Sequence, residues 1–345
     1  MTISDKTYKE FMKHISFKIK YHQDKYRGDD NPEEIIKRDI CRFKEIYLQI
    51  TNGDSPFSEI VGKDAIFADC DFLTSVILPD TITKIGENAF FGCKKLTSIH
   101  IPGTVFAIMD YAFFACTELR SINIPDSVTI LGKKAFGLCT KLASANIPSK
   151  ITKLPFGLLE ACKSLNSIDI PNGVTEIGDS AFAHCTGLTA LYIHDSVIKI
   201  DHRAFWGCKN LKEIKIPDNL EEMGVNVFND CRSLKQIDIP NGITKIGYGT
   251  FAGCEKLEVI NMPSTVIEIG EWAFSECIKL TAIKIPDGVL KIDQKAFQGC
   301  KNLRTITIPD SGTKIGKNTF YGCINLEPTI KDQIRKKFRG NIFGE

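Results

Sequence analysis

The sequence predicts an α/β solenoid: a stack of about 11–12 coils, one short parallel β-strand to each, with an α-helical cap in front and a short helix behind. Three observations predict it. Twelve of the thirteen cysteines, from Cys70 to Cys323, stand 23 residues apart with no insertion or deletion between them. A Phe three residues before each cysteine and a Leu three residues after it recur at the same step, with Leu159 the exception in the Phe column. Aliphatic residues follow six and eight residues after the cysteine, as at Ile214 and Ile216. A fixed period of this size marks repeated units, each too small to bury its own apolar face.

The strand comes from the Leu-x-x-Ile-x-Ile-Pro segment. Side chains two apart share one face of a strand, so the two aliphatics point together into the core. The Pro ends the strand because it fixes φ and offers no N–H. Strands in register stack at about 4.8 Å, which gives a solenoid roughly 55 Å long. The Phe column is expected to form an internal spine. Replacing one member by Ala is expected to cost about 3–5 kcal/mol through the cavity it leaves.

The unit, with its Ile-Pro-x-x-Val-Thr-x-Ile-Gly-x-x-Ala-Phe-x-Gly-Cys-x-x-Leu pattern, resembles the BspA-like class of leucine-rich repeat. The resemblance runs from about Val61 to Leu326. It implies a curved leucine-rich-repeat solenoid used for protein binding, often by microbes contacting other cells.

Three segments follow: a helical N-terminal cap at 1–52, the solenoid at 53–326 and a C-terminal capping helix at 327–345. In the first, Asn31 suits an N-cap, Pro32 the first turn, and Glu33 and Glu34 the positive end of a helix. Ile36, Ile40, Phe43, Tyr47 and Ile50 then keep helical spacing. Ahead of it, Tyr8, Phe11, Met12, Ile15 and Ile19 read as helix, while Ile15, Phe17, Ile19 and Tyr21 read as strand; helix is favoured. The segment covers the apolar end of the first coil, or serves as a docking module. In the tail, Ile330, Ile334 and Phe338 lie at helical spacing. Its Arg335, Lys336, Lys337 and Arg339 read as a solvated face, against a targeting or nucleic-acid patch.

One unit departs from the pattern. Lys153-Leu154-Pro155-Phe156-Gly157-Leu158-Leu159 stands where its neighbours read Ile-Gly-x-x-Ala-Phe, and Ala145 stands where Ile is usual. Conservative repacking is the favoured reading, and a reshaped face or flexible joint is the other.

Thirteen cysteines suggest disulfides in a secreted chain. Here they recur once per coil at one position, so a ladder of small, buried, free thiols is expected. No Cys-x-x-Cys pair points to metal. Free thiols and the absence of a signal-peptide core after Met1 lead to a cytoplasmic expectation, with export by a signal-independent route as the alternative. No stretch is apolar for long enough to span a membrane. The net charge of +2 gives no global pull toward nucleic acid.

No phosphate-binding Gly loop, Gly-x-Ser-x-Gly elbow or His-Glu-x-x-His is present. His194 and His202, with Asp195 and Asp201, fall at different corners of the coil and read as surface polar residues. No enzyme activity and no cofactor are expected. Binding is expected on the strand face, where residues five and seven after each cysteine point outward. Five coils carry Ser there, from Ser75 to Ser167. The middle coils carry Asn146, Asp169, Tyr192, Glu213, Lys215 and Asp238, a mixture of charge with one aromatic that suits a protein partner. Phe91, Phe114, Trp206 and Tyr321, each next to a spine position, are a second surface candidate. The leading functional reading is a non-enzymatic protein-interaction scaffold. The alternative is an adhesin-like surface or secreted protein that binds host or matrix glycoprotein. Oligomeric state is left open.

Overall fold

A computed structural model describes residues 67–344 apart from 71, 72, 79, 81, 310, 311 and 339. The expected N-terminal cap and the imperfect turn at Val61-Gly62 lie outside the described residues. The rest is a parallel β-solenoid whose coils repeat every 23 residues.

The coils build two strand ladders, one more than the sequence predicts. The first ladder is the expected one. Its strands include Ala190–Tyr192, Glu213–Lys215 and Gln236–Asp238. Tyr192 pairs with Lys215 one period on. The middle residue of each of these three points in and the flanking two point out, as period-2 geometry requires. The second ladder is built of two-residue strands such as Lys199–Ile200, Glu222–Met223 and Lys245–Ile246. It arises because the second aliphatic of the Val-x-x-Ile pair points inward while the residue before it faces out and bonds the next coil. The Gly that follows lets coils approach closely: a Cβ on Gly132 would collide with the backbone of Met109 and Asp110.

From there the chain makes two tight turns back to the cysteine. Phe91 N–H bonds Asn88 O and Cys93 N–H bonds Phe90 O, closing the turns. The intervening N–H groups of Asn88, Phe90 and Gly92 point along the axis to Asp110, Ala112 and Phe114 of the next coil, at 3.0, 2.7 and 2.8 Å. Each turn needs a left-handed residue. Among the described residues, sixteen of these positions carry side chains, including Tyr111, Arg203 and Trp272. None is β-branched, the class for which positive φ is most strained.

The interior holds the predicted spine. The rings of Phe182, Phe205, Phe228, Phe251, Phe274, Phe297 and Phe320 stack with centroids 5.2–5.7 Å apart, and all are buried. Beside it runs the thiol ladder. Cys116 Sγ donates to Phe90 O at 3.1 Å and Cys208 Sγ to Phe182 O at 3.1 Å, each to the spine carbonyl of the coil before. The cysteine thus fills a corner and satisfies a backbone acceptor at once. Burial pushes the thiols of Cys139 and Cys208 up from 9.0 to about 12, so they stay protonated and inert.

The unit at 153–159 keeps this frame. Phe136 N–H still bonds Leu158 O and Leu159 N–H bonds Ala181 O. Leu158 and Leu159 are both buried where neighbours have Ala and Phe, so a larger residue in one column accompanies a smaller one in the next. The change shows in the first ladder, where residues 167–169 form no strand.

At the C-terminal end, helix α1 (Pro328–Lys337) replaces the strand part of the next coil and buries Ile334. The chain then returns. Asn318 and Phe320 N–H groups bond Asn341 and Ile342 carbonyls, and Phe343 lies on Phe320 with centroids 5.9 Å apart. Phe343 is 23 residues after Phe320, so the Phe column continues into the tail, where the rest of the repeat is lost.

Candidate functional site

The strand face of the middle coils forms an open trough of about 680 Å³ running from Ser167 to Asp238. Its floor is low at Ser167 and Ala190, where the outward side chains are small. Tyr192 rises beside them, 52% exposed. The His194 ring meets the Tyr192 ring edge-on at 4.9 Å, and Lys215 Nζ lies 5.9 Å from that ring's centroid. Asp238 Oδ1 accepts a hydrogen bond from Asn261 Nδ2 at 2.6 Å. Lys212 and Lys235 complete the lining.

Five of the six residues singled out from the sequence therefore share this trough: Asp169, Tyr192, Glu213, Lys215 and Asp238. Asn146 does not. Its amide accepts from Ile124 N–H and donates to Ile124 O, both at 2.7 Å, and so stands in for a peptide group of the ladder. Among the described residues no ion pair joins the trough's charged side chains to one another or to any neighbour.

The second ladder presents a different surface, which the sequence reading missed. From Lys153 to Lys291 its outward column reads Lys153, Glu176, Lys199, Glu222, Lys245, Glu268, Lys291, alternating in sign over these coils, with Ala107 and Ile130 before them and Lys314 after. Lys153 meets Glu176 at 2.9 Å, Lys199 meets Glu222 at 3.4 Å, and Glu268 is held by Lys245 at 3.1 Å and Lys291 at 3.3 Å. Partial burial pushes the Glu268 carboxyl up, but the hydrogen bonds from both lysines outweigh it and hold the group below its ordinary value. Strict alternation of Lys and Glu at 23-residue spacing was the available signal.

The two histidines sit in different places. His194 packs on Tyr192 in the trough, while His202 Nδ1 accepts Val225 N–H at 2.9 Å beside the second ladder. The aromatics next to the spine also divide. Phe91 and Phe114 are half-buried and stack at 5.3 Å, whereas Trp206 and Tyr321 are exposed. In the tail, Lys337 Nζ donates to Pro309 O at 2.9 Å, and Arg335 lies over the Phe343 ring at 5.2 Å. Among the described residues no helix is long and apolar enough to cross a membrane, and no group of three or more His, Cys, Asp and Glu side chains is placed to hold a metal ion.

Stacked coils with an inward aliphatic strand, a Phe spine and an outward, variable strand face define a leucine-rich-repeat scaffold. The family described as BspA type leucine rich repeat region matches residues 61–189, 175–303 and 267–344. The chain belongs to the BspA-type leucine-rich-repeat family. A leucine-rich repeat protein from Bacteroides ovatus is similar at 30% identity and a TM-score of 0.60, over 81% of this chain and 85% of that one. A leucine-rich repeat protein from Eubacterium ventriosum shares the fold at 24% identity and a TM-score of 0.55, over 75% and 79%. A leucine rich cell surface protein from Faecalibacterium prausnitzii is 28% identical over 74% and 86%, with a TM-score of 0.47. No curated protein matches. Scaffolds of this family are non-enzymatic and typically bind other proteins.

Proposed function

We propose that the chain is a non-enzymatic scaffold that binds a protein partner through the trough between Ser167 and Asp238. The observation that carries this reading is the gathering there of a half-exposed tyrosine with charged side chains that have no ionic partner among the described residues. Aromatic and charged anchors near the centre of a face are the usual hot spots of protein interfaces. Charges left unpaired on a rigid surface select a partner of complementary pattern.

The test is affinity capture with the full chain, followed by a binding titration of the captured partner against wild type and a Tyr192→Ala/Asp238→Ala variant. Both side chains are exposed, so the variant keeps its fold. Affinity is expected to fall at least about tenfold. A folded variant that binds as tightly as wild type rejects the footprint.

A further inference from the structure

Resting on that reading, we propose that the trough's occupant is an α-helix lying along the solenoid axis, with basic, apolar, acidic and basic side chains on successive turns. The first argument is spacing. The column seven residues after each cysteine offers one side chain per coil: Asp169, Tyr192, Lys215, Asp238. Coils repeat at 5.1–5.7 Å, measured between stacked spine rings, and parallel strands at about 4.8 Å. An α-helix advances about 5.4 Å per turn, so residues i, i+4, i+7 and i+11 on one face meet four successive coils. Those four residues span about 16 Å, and the three steps from Asp169 to Asp238 cover roughly 14–17 Å. An extended segment repeats one face about every 6.8 Å and falls out of step after a single coil.

The second argument is charge. Asp169 and Lys215 lie two coils apart with Tyr192 between them, and neither has an ionic partner among the described residues. A basic residue opposite Asp169, an apolar one against the Tyr192 ring, an acidic one opposite Lys215 and a basic one opposite Asp238 satisfy the whole column. The low floor at Ser167 and Ala190 gives the helix room to sit down into the face. Helix-in-groove recognition of this kind uses one anchor per turn.

The experiment uses two hydrocarbon-stapled, fluorescein-labelled, Ala-rich helical peptides of about 15 residues. One carries Arg, Leu, Glu and Arg at i, i+4, i+7 and i+11. The other carries Glu, Leu, Arg and Glu at the same places. Fluorescence anisotropy against the full chain at low salt is expected to show the first binding at least about tenfold tighter. An Asp169→Lys/Lys215→Glu/Asp238→Lys variant, checked for fold by circular dichroism, is expected to reverse the preference. Equal binding of the two peptides by wild type, or an unchanged preference in the folded variant, overturns the charge assignment. Tighter binding of an unstapled peptide with the first pattern and a central Pro overturns the helix. Each of these failures leaves the Tyr192/Asp238 footprint to be judged by its own titration against the captured partner.

Discussion

Where Lys245, Glu268 and Lys291 stand, each charge meets its opposite one coil away; where Glu213, Lys215 and Asp238 stand, on the other ladder, none forms an ion pair among the described residues. Both ladders are parallel and in register at the same 23-residue step, the first hydrogen-bonded in pairs of strands and the second in runs of three or four. The difference lies in the order of signs along the axis and in where the side chains turn: Lys215 and Asp238 are opposite and adjacent, yet Lys215 lies over Tyr192 and Asp238 accepts from Asn261. Alternation lets one ladder neutralise itself. The sequence Asp, Tyr, Lys, Asp places an aromatic between opposite charges and leaves them facing outward. A surface whose charges satisfy each other supports the stack, and a surface whose charges do not is the one we propose a partner meets.

That contrast presumes one interior holding both ladders in step, and the largest expected effect comes from disturbing it. Burial raises the pKa of nine thiols from Cys116 to Cys300. Below the ordinary thiol value of 9.0 both the folded and unfolded chain keep these protons, and no stability is lost. As pH rises above 9.0 the unfolded chain ionises while the fold does not, so stability falls until the raised folded value is passed, at about 12 for Cys139 and Cys208. Each thiol contributes a loss of roughly 1.4 kcal/mol per pH unit in that window. Denaturant melts between pH 7 and 11 are expected to show a steep loss, and a Cys208→Ala variant a shallower one.

Next in size is Phe228→Ala, in the unbroken part of the spine. It is expected to cost about 3–5 kcal/mol by chemical denaturation. An effect under about 1 kcal/mol would mean that the stacked rings do not hold the ladders together.

The smallest effect addresses the contrast itself. Glu268→Lys, which sets four like charges on consecutive coils from Lys245 to Lys314, is expected to cost about 1 kcal/mol at low salt and less at high salt. The stability that Glu268 contributes is present above the ordinary carboxylate value of 4.5 and fades as pH falls through its depressed one. Glu213→Lys, the matching change on the other face, is expected to stay within about 0.5 kcal/mol. Equal losses from the two would erase the distinction between the ladders.

The repeat length, the Phe spine and the thiol ladder were legible in the sequence because each recurs as one residue type at one step, and the outward columns of the first strand because they alternate with inward aliphatics. The second ladder was not. A two-residue strand such as Lys199–Ile200 is too short to show period-2 alternation, and its aliphatic reads equally well as a loop anchor. The side chains of the left-handed positions hid the turns, since Tyr111, Arg203 and Trp272 are not turn formers by type. Of the site, Tyr192 and its charged neighbours followed from strand alternation. The engagement of Asn146 did not, because it depends on a local shortfall in the ladder near Ala145 that only coordinates reveal. Phe343 kept its step, but a helix stands between it and the last full coil.

The turn hydrogen bonds give the solenoid a direction. At Asn88, Phe90 and Gly92, and again coil after coil, amide hydrogens lean toward higher residue numbers and carbonyl oxygens receive them from lower ones. On this turn face the two extremities of such a rod are chemically unlike, one asking for acceptors and the other offering them, whereas beside the second ladder the amides of Phe106, Met109 and Gly132 lean the other way. The returning segment at Asn341 and Ile342 answers the first demand with its own carbonyls. Any whole coil can therefore be removed or duplicated without setting donor against donor, whereas two such rods joined through like ends would set donor against donor, or acceptor against acceptor, along the turn face.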